Sequence, residues 1–250
     1  MKQASTRYAL LDELRGLDLI SMMLYHGMWD LVYLFDVSVG WYVDTPGYLW
    51  QQSICWVFIL LSGFCLPLGH HPIRRGAVVF GGGAVVTLVT LLFMPEDVVW
   101  FGVLTLLGSA MILTGLAQKW MKKLSPLAGL LLSFGLFCFT RHAAAGSLGF
   151  GTLRLWLPSA LYANYVTAYF GFCPFWFFST DYFPLVPWLF LFWTGFYLHH
   201  LVGQKRMEPL RRSVCPPLGR LGRHSLLLYM LHQPVIFGLL AAGNVLLQPL

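Results

Sequence analysis

Within the segment LLDELRGLDLISMMLYHGMWDLVYLF, Arg15, Asp18, Met22, His26 and Trp29 or Asp30 recur at steps of three and four. On a helix such steps bring side chains onto one face. The residue types on that face suit proton transfer: an imidazole that exchanges a proton near neutral pH, carboxylates that orient it, and a guanidinium. A second group lies near the C-terminus in LGRHSLLLYMLHQPVIFGLL, where Ser225, Tyr229 and His232 follow the same spacing and Gln233–Pro234 comes next. A proline inside a helix frees a carbonyl in the preceding turn. The expectation is therefore a kink and one more polar group at the level of His232. The plainer alternative is that both sets zip helices together through buried polar contacts.

The elements that must carry these groups follow from composition. Of 250 residues, 58% are hydrophobic and only 10% charged, with 16% aromatic including ten Trp, against about 25% charged in a soluble domain. An ordinary soluble enzyme, a disordered segment and a nucleic-acid binder are thereby excluded, and an all-α polytopic transmembrane bundle remains. Apolar segments of spanning length, about 20 residues, are drawn at about 15–35, 48–69, 76–94, 98–117, 124–140, 183–202 and 222–247. Lys2, Arg7 and Arg15, then Arg74 and Arg75, then Lys119, Lys122 and Lys123, and six basic residues from Lys205 to Arg223 fall at alternate ends of these spans. Only Arg141 and Arg154 of the 16 Lys and Arg fall on the other side, where Asp36, Asp44, Glu96, Asp97 and Asp181 mostly gather. The positive-inside rule then gives seven spans, the N-terminus cytoplasmic and the C-terminus outside. The net charge of +6 thus reports topology before any ligand.

Depth sharpens the two polar groups. His26 lies about 16 Å deeper than Arg15 at the helical rise, and His232 about 13 Å beyond Arg223. Two imidazoles, on the first and last spans, are expected at similar depth, where ionisable groups are costly and mark function. His224 falls at the interface, an anchor by default. The first apolar segment is interrupted by Asp18 and Asp30 with no small-residue cleavage site after it, so no cleavable signal peptide is expected. The five cysteines show no CxxC or metal spacing. Only Cys138 and Cys173 fall together near the outer face, so a disulfide framework is not expected. With no internal repeat, the chain reads as a single transmembrane domain over residues 1–250.

Two connections carry further signals. The sixth, GQKRMEPLRRSVCPPLGRLGR, is read either as topogenic charge on anionic lipid or as a receptor for phosphates from the cytoplasm. The outer segment, about 141–182, is rich in Trp, Tyr and Phe, which makes an interfacial aromatic belt the default and a re-entrant loop the alternative. Asn164, Asp181 and Tyr182 add hydrogen-bonding edges, and aromatic faces beside carboxylate and amide groups suit a sugar. Pro184 shortly after Asp181 also fits a capped helix start, with Asp181 as its N-cap.

The motifs DELRGLDLISMMLYH, FILLSGFCLPLG, FGVLTLLG, FFSTDYFPLVPWLFLFWTGFYL and LGRHSLLLYMLHQPV, in this order, resemble the heparan-α-glucosaminide N-acetyltransferase catalytic-domain family in its short bacterial form. The resemblance covers nearly the whole chain; STDYFPLVPW and LGRHSLLLYMLHQP carry most of it. It implies acetyl-CoA as acyl donor at the cytoplasmic face, an amino sugar or other glycan as acceptor outside, and no metal. It also implies a multi-pass enzyme of the cell membrane moving an acetyl group through the bundle to nitrogen or oxygen. The loop from Phe35 to Gly47 holds no His, so the general base falls to His26 or His232, with Asp30 fixing the His26 tautomer. Tyr229, Ser225 or Gln233 would stabilise the tetrahedral oxyanion. Arg206, Arg211, Arg212, Arg220 and Arg223 are candidates for the CoA phosphates, with Arg15, His224, Ser225 and Gln233 on the same donor side. Arg15 and Asp18 would position the first helix, and Asp181, Tyr182, Trp188 and Asn164 would face the acceptor. A homodimer fits related bundles. Two other classes stay open: a proton-coupled transporter or flippase of a polar lipid or sugar, and a non-catalytic partner subunit.

Overall fold

Each of the seven apolar segments folds as a helix in the computed structural model, which describes residues 7–247 apart from the side chains of 244–247. Lys2, counted above among the cytoplasmic charges, lies outside the described residues. In chain order the elements are α1 (Ala9–Tyr33), the single turn α2 (Gly40–Val43), α3 (Thr45–Cys65), α4 (Pro72–Phe93), α5 (Val103–Met121), α6 (Pro126–Thr140), strands β1 (Ser147–Phe150) and β2 (Leu153–Trp156), α7 (Tyr165–Phe170), α8 (Leu185–Arg206), α9 (Pro216–Arg223) and α10 (Ser225–Leu247). Six of them, α3, α4, α5, α6, α8 and α10, are long and apolar enough to cross a membrane. The 25-residue α1 is long enough as well, but is interrupted by Asp18, His26 and Asp30. The protein is an all-α polytopic membrane bundle.

Three boundaries differ from the sequence reading. The last apolar segment begins as two helices: α9, with prolines in its first turn, ends at Arg223 before α10 starts at Ser225. The segment 141–182, in which no secondary structure was expected, is not one irregular run. It contains an antiparallel hairpin pairing Ser147 with Trp156 and Phe150 with Leu153. Its turn is made at Gly151, whose positive φ of 54° is open to glycine without steric cost. Finally, α8 starts at Leu185 and departs from helical geometry at Val186 and Gly203.

The chain divides into two compact units, Met1–Phe58 with Gln204–Leu250, and Ile59–Gly203. In the first, α1 packs against α9 and α10. A core of Leu19, Met22 and Ile54 is flanked by Tyr25, Trp50, Phe58, Leu228 and Tyr229. The α1–α9 crossing is backbone to backbone: a Cβ on Gly222 would stand 1.8 Å from the Asp12 carbonyl oxygen, and one on Gly16 2.0 Å from that of Leu218. In the second unit α4 pairs with α5. A Cβ on Gly63 of α3 would meet the Phe192 carbonyl at 2.0 Å, and one on Gly195 of α8 that of Leu60 at 2.1 Å. Such small-residue contacts let helices approach closely where lipid offers no hydrophobic drive to pack. Polar cross-links add to them: Trp193 Nε1 donates to Thr114 Oγ1 at 3.0 Å, and Thr194 Oγ1 to Ser133 Oγ at 3.2 Å.

Candidate functional site

His26 and His232 both lie in the first unit. The 3.6-residue repeat of α1 turns Asp18, Leu19, Met22 and Asp30 inward, all at most 7% exposed, and Asp30 is fully buried. His26 lies on the same face and meets His232 of α10, ring centroids 4.8 Å apart. His232 is 8% exposed, and its Nδ1 stands 2.5 Å from the Tyr229 carbonyl oxygen. A carbonyl has no proton to give, so Nδ1 is the donor and a neutral His232 keeps Nε2 as its acceptor. The Tyr229 ring lies 5.3 Å from His232 and stacks on Phe58 at 6.3 Å.

Asp30 is not the partner of His26. Its Oδ1 accepts from Gln233 Nε2 at 2.5 Å, a bond that ties α1 to α10 one residue beyond His232. Asp30 Oδ2, Gln233 Oε1 and Asp18 Oδ2 are buried with no hydrogen-bond partner among the described residues. Buried acceptors are normally satisfied, so α1 and α10 hold polar capacity to spare, at Asp30 and Gln233 beside the imidazoles and at Asp18 about three turns from Asp30. α10 runs through Pro234 as one helix.

The basic end of the same unit is built around α1 and α9. Asp12 accepts from Arg7 Nε at 2.6 Å and from Arg15 Nη1 at 3.1 Å. Glu13, 4% exposed, accepts from the Ser213 hydroxyl and, at 3.0 Å, from the Val214 amide. The Ser213 hydroxyl holds the Glu13 carboxyl below the ordinary range, while burial opposes it. This clasp fixes the turn that leads into α9, and Arg7, Asp12, Glu13, Ser213, Arg220 and Arg223 line a cleft of about 180 Å³. Of the five arginines expected at the phosphates, the cleft gathers two, Arg220 and Arg223, and adds Arg7. Arg211 pairs with Glu208 at 3.0 Å and covers the Tyr8 ring at 4.7 Å. Arg206 and Arg212 are exposed, and so is His224 at the end of α9, while Ser225 is half-buried at the start of α10.

Residues expected at the acceptor lie in the second unit, and each has a structural partner. Asn164 Oδ1 caps α7 by accepting from Val166 and Thr167 amides at 2.9 and 3.1 Å. Asp181 Oδ2 accepts from the Val103 amide at 3.3 Å, so it caps α5, not α8. Tyr182 donates to the Ala168 carbonyl at 2.6 Å. Burial, with Cys173 adding to it, raises its phenol above the ordinary range. Trp188 is 9% exposed, packed against Phe137 and Phe183 with the Arg141 guanidinium over its ring. No disulfide joins any of the five cysteines. Among the described residues, no three His, Cys, Asp or Glu gather as a metal-binding group.

Sequence reasoning missed Arg7, Asp12 and Glu13 as site residues, although two adjacent acids in a chain with ten Asp and Glu were a usable signal. It also missed an aromatic group beside α1. Tyr42 donates to the Tyr25 carbonyl at 3.1 Å, and Trp50 Nε1 to Ser21 Oγ at 2.8 Å.

No curated protein and no solved structure matches the chain. One protein family does, over residues 7–234: heparan-alpha-glucosaminide N-acetyltransferase, catalytic. Its match takes in the acidic start of α1, both histidines, the Glu13 clasp and the arginine cleft, and the chain belongs to this family of transmembrane acetyltransferases.

Proposed function

We propose that the protein transfers an acetyl group from acetyl-CoA, bound at the arginine cleft on the cytoplasmic face, to an amino group of a glycan reached from the outer face. The observation that carries this reading is the His26–His232 pair, ring centroids 4.8 Å apart, in the same unit as a cleft bearing Arg7, Arg220 and Arg223. Guanidinium groups suit phosphate oxygens by fork geometry and permanent charge.

His232 is the better base of the two. Its Nδ1 is committed to the Tyr229 carbonyl, which leaves Nε2 to take the proton from the acceptor amine as the nitrogen attacks the thioester carbonyl. A C–N bond forms, the C–S bond breaks, and the leaving thiolate takes from the His232 imidazolium the proton that came from the amine, which returns the base to its neutral form. Tyr229 and the second N–H of Gln233 are donors for the oxyanion, with Ser225 a further donor one helix turn nearer the cleft. His26 faces His232 and steadies the imidazolium ring. Arg15 and Asp18 act on the donor side through the orientation of α1, and Asp30 acts by holding Gln233. Asp181, Tyr182, Trp188 and Asn164 serve as scaffold of the second unit, in capping and core packing.

The test is transfer of labelled acetyl from acetyl-CoA to a panel of glucosamine derivatives by purified protein in detergent. His26→Ala and His232→Ala are expected to lower the rate at least about tenfold, at the low end of general-base contributions, with His232→Ala the more damaging. Unchanged transfer in both variants would remove the imidazoles from the chemistry, and a wild-type protein that leaves the thioester intact would favour a transporter.

A further inference from the structure

The four residues expected to face the acceptor are engaged in capping and core packing, whereas the imidazole pair has aromatic neighbours of its own within the first unit. Trp41 is 50% exposed and lies 6.0 Å from Trp50, with the ring planes inclined by only 35°. Trp50 meets Tyr25 edge-on at 5.3 Å, Tyr25 meets His26 at 6.1 Å, and His26 meets His232 at 4.8 Å. A continuous track of rings therefore runs from an exposed indole to the candidate base.

The track is rigid. Tyr42, next to Trp41 and 4% exposed, is pinned to α1 through its bond to the Tyr25 carbonyl, and Trp50 through its bond to Ser21. The segment 34–48 that carries Trp41 has two acids, Asp36 and Asp44, both exposed, and no Lys or Arg. Its charge complements a cation or a polyhydroxyl ring and repels an anion. An aromatic face beside a few polar acceptors is the usual make-up of a small-molecule site. A pyranose places its C–H face on such a ring and turns its hydroxyl or ammonium groups to the rim.

From this we infer that Trp41, held by Tyr42 and Trp50, is the acceptor-binding shelf: it takes one pyranose ring of an amino sugar and hands its amino group along the ring track to the imidazoles. The inference rests on the acetyl-transfer reading above, and names the acceptor side of that same site.

Two measurements separate the inferences. With methyl β-glucosaminide as acceptor, Trp41→Ala is expected to raise its KM about tenfold, the scale of one stacking contact. The expected kcat stays within about twofold, the KM for acetyl-CoA is unchanged, and Trp41→Tyr recovers most of the loss. Saturation-transfer NMR of the same glycoside on the detergent-solubilised protein, with no donor added, is expected to show binding that Trp41→Ala abolishes. An indole that only anchors the chain in the headgroup layer leaves acceptor KM and the NMR signal untouched, and that result overturns the shelf. So does a fall in all kinetic constants together with the melting temperature. If wild type binds the glycoside but transfers no acetyl group, the shelf stands and the acetyl-transfer reading fails.

Discussion

Asp30 and Gln233 form the most consequential single contact at the level of the imidazoles. Each side chain spends one polar atom on the other, and each keeps a second that is buried without a partner among the described residues. If the pair were only glue between α1 and α10, removing both halves together would cost little, because an apolar replacement leaves no orphaned group. Asp30→Leu alone strands the Gln233 amide, and Gln233→Leu alone strands the carboxylate; each is expected to cost about 1–3 kcal/mol. The double variant is expected to recover most of that stability in thermal melts, yet to transfer no acetyl. Gln233 would be missing as an oxyanion donor, and the spare acceptors would be gone. Recovery of both stability and activity in the double variant would reduce the pair to packing.

At the scale of elements, α9 depends on one atom of space. It crosses α1 so closely that a methyl group at Gly222 would collide with the Asp12 carbonyl at 1.8 Å, while one at Gly219 would meet Glu13 Cγ at 3.4 Å, ordinary contact. Gly222→Ala is therefore expected to push α9 away, cost about 1–3 kcal/mol as overpacking does, and carry Arg220 and Arg223 out of register with Arg7. Gly219→Ala is expected to be neutral or slightly stabilising, since alanine is favoured over glycine in a helix by about 1 kcal/mol. Donor-induced thermal stabilisation should vanish in the first variant and persist in the second; equal behaviour would mean that the cleft does not need the close crossing. The same comparison explains what the sequence could reveal. The long helices were legible because runs of apolar residues near spanning length have few other solutions. The imidazole pair was legible from its three-and-four spacing and similar depth. The α9 break was not, because PPLGRLGR blends into the apolar run after it. The hairpin, two strands of four residues each, is too short for an alternation to register. Asp30 was expected to serve His26 four residues away on its own helix. Which neighbour it takes depends on how α1 is rotated against α10, a long-range property absent from local spacing.

Taken whole, the molecule needs a solvent of hydrocarbon. In α4 only 11% of the apolar window is buried and in α10 only 6%, against 56% in α5 and in α8. Exposed apolar surface on that scale far exceeds the few hundred Å² that a soluble monomer tolerates, whereas lipid accepts it as long as the backbone is satisfied within each helix. What composition leaves open is α1, whose buried acids keep it out of the set of plainly apolar spans. Its crossing decides the parity of everything that follows. With α1 across the bilayer, the hairpin comes after five crossings and the Ser213–Val214 turn after six, so the N-terminus and Val214 share one side and Thr152 lies on the other. If α1 does not cross, the N-terminus instead shares a side with Thr152. In a cysteine-free background, Val214→Cys and Thr152→Cys each introduce one exposed thiol, and an N-terminal epitope tag reports the third position. The bias of Lys and Arg predicts that an impermeant maleimide labels Thr152→Cys on intact cells, while Val214→Cys and the tag respond only after permeabilisation. A tag accessible together with Thr152→Cys would show that α1 stays on one face. His26, Asp30 and the ring track would then have to act at the membrane surface, not across it.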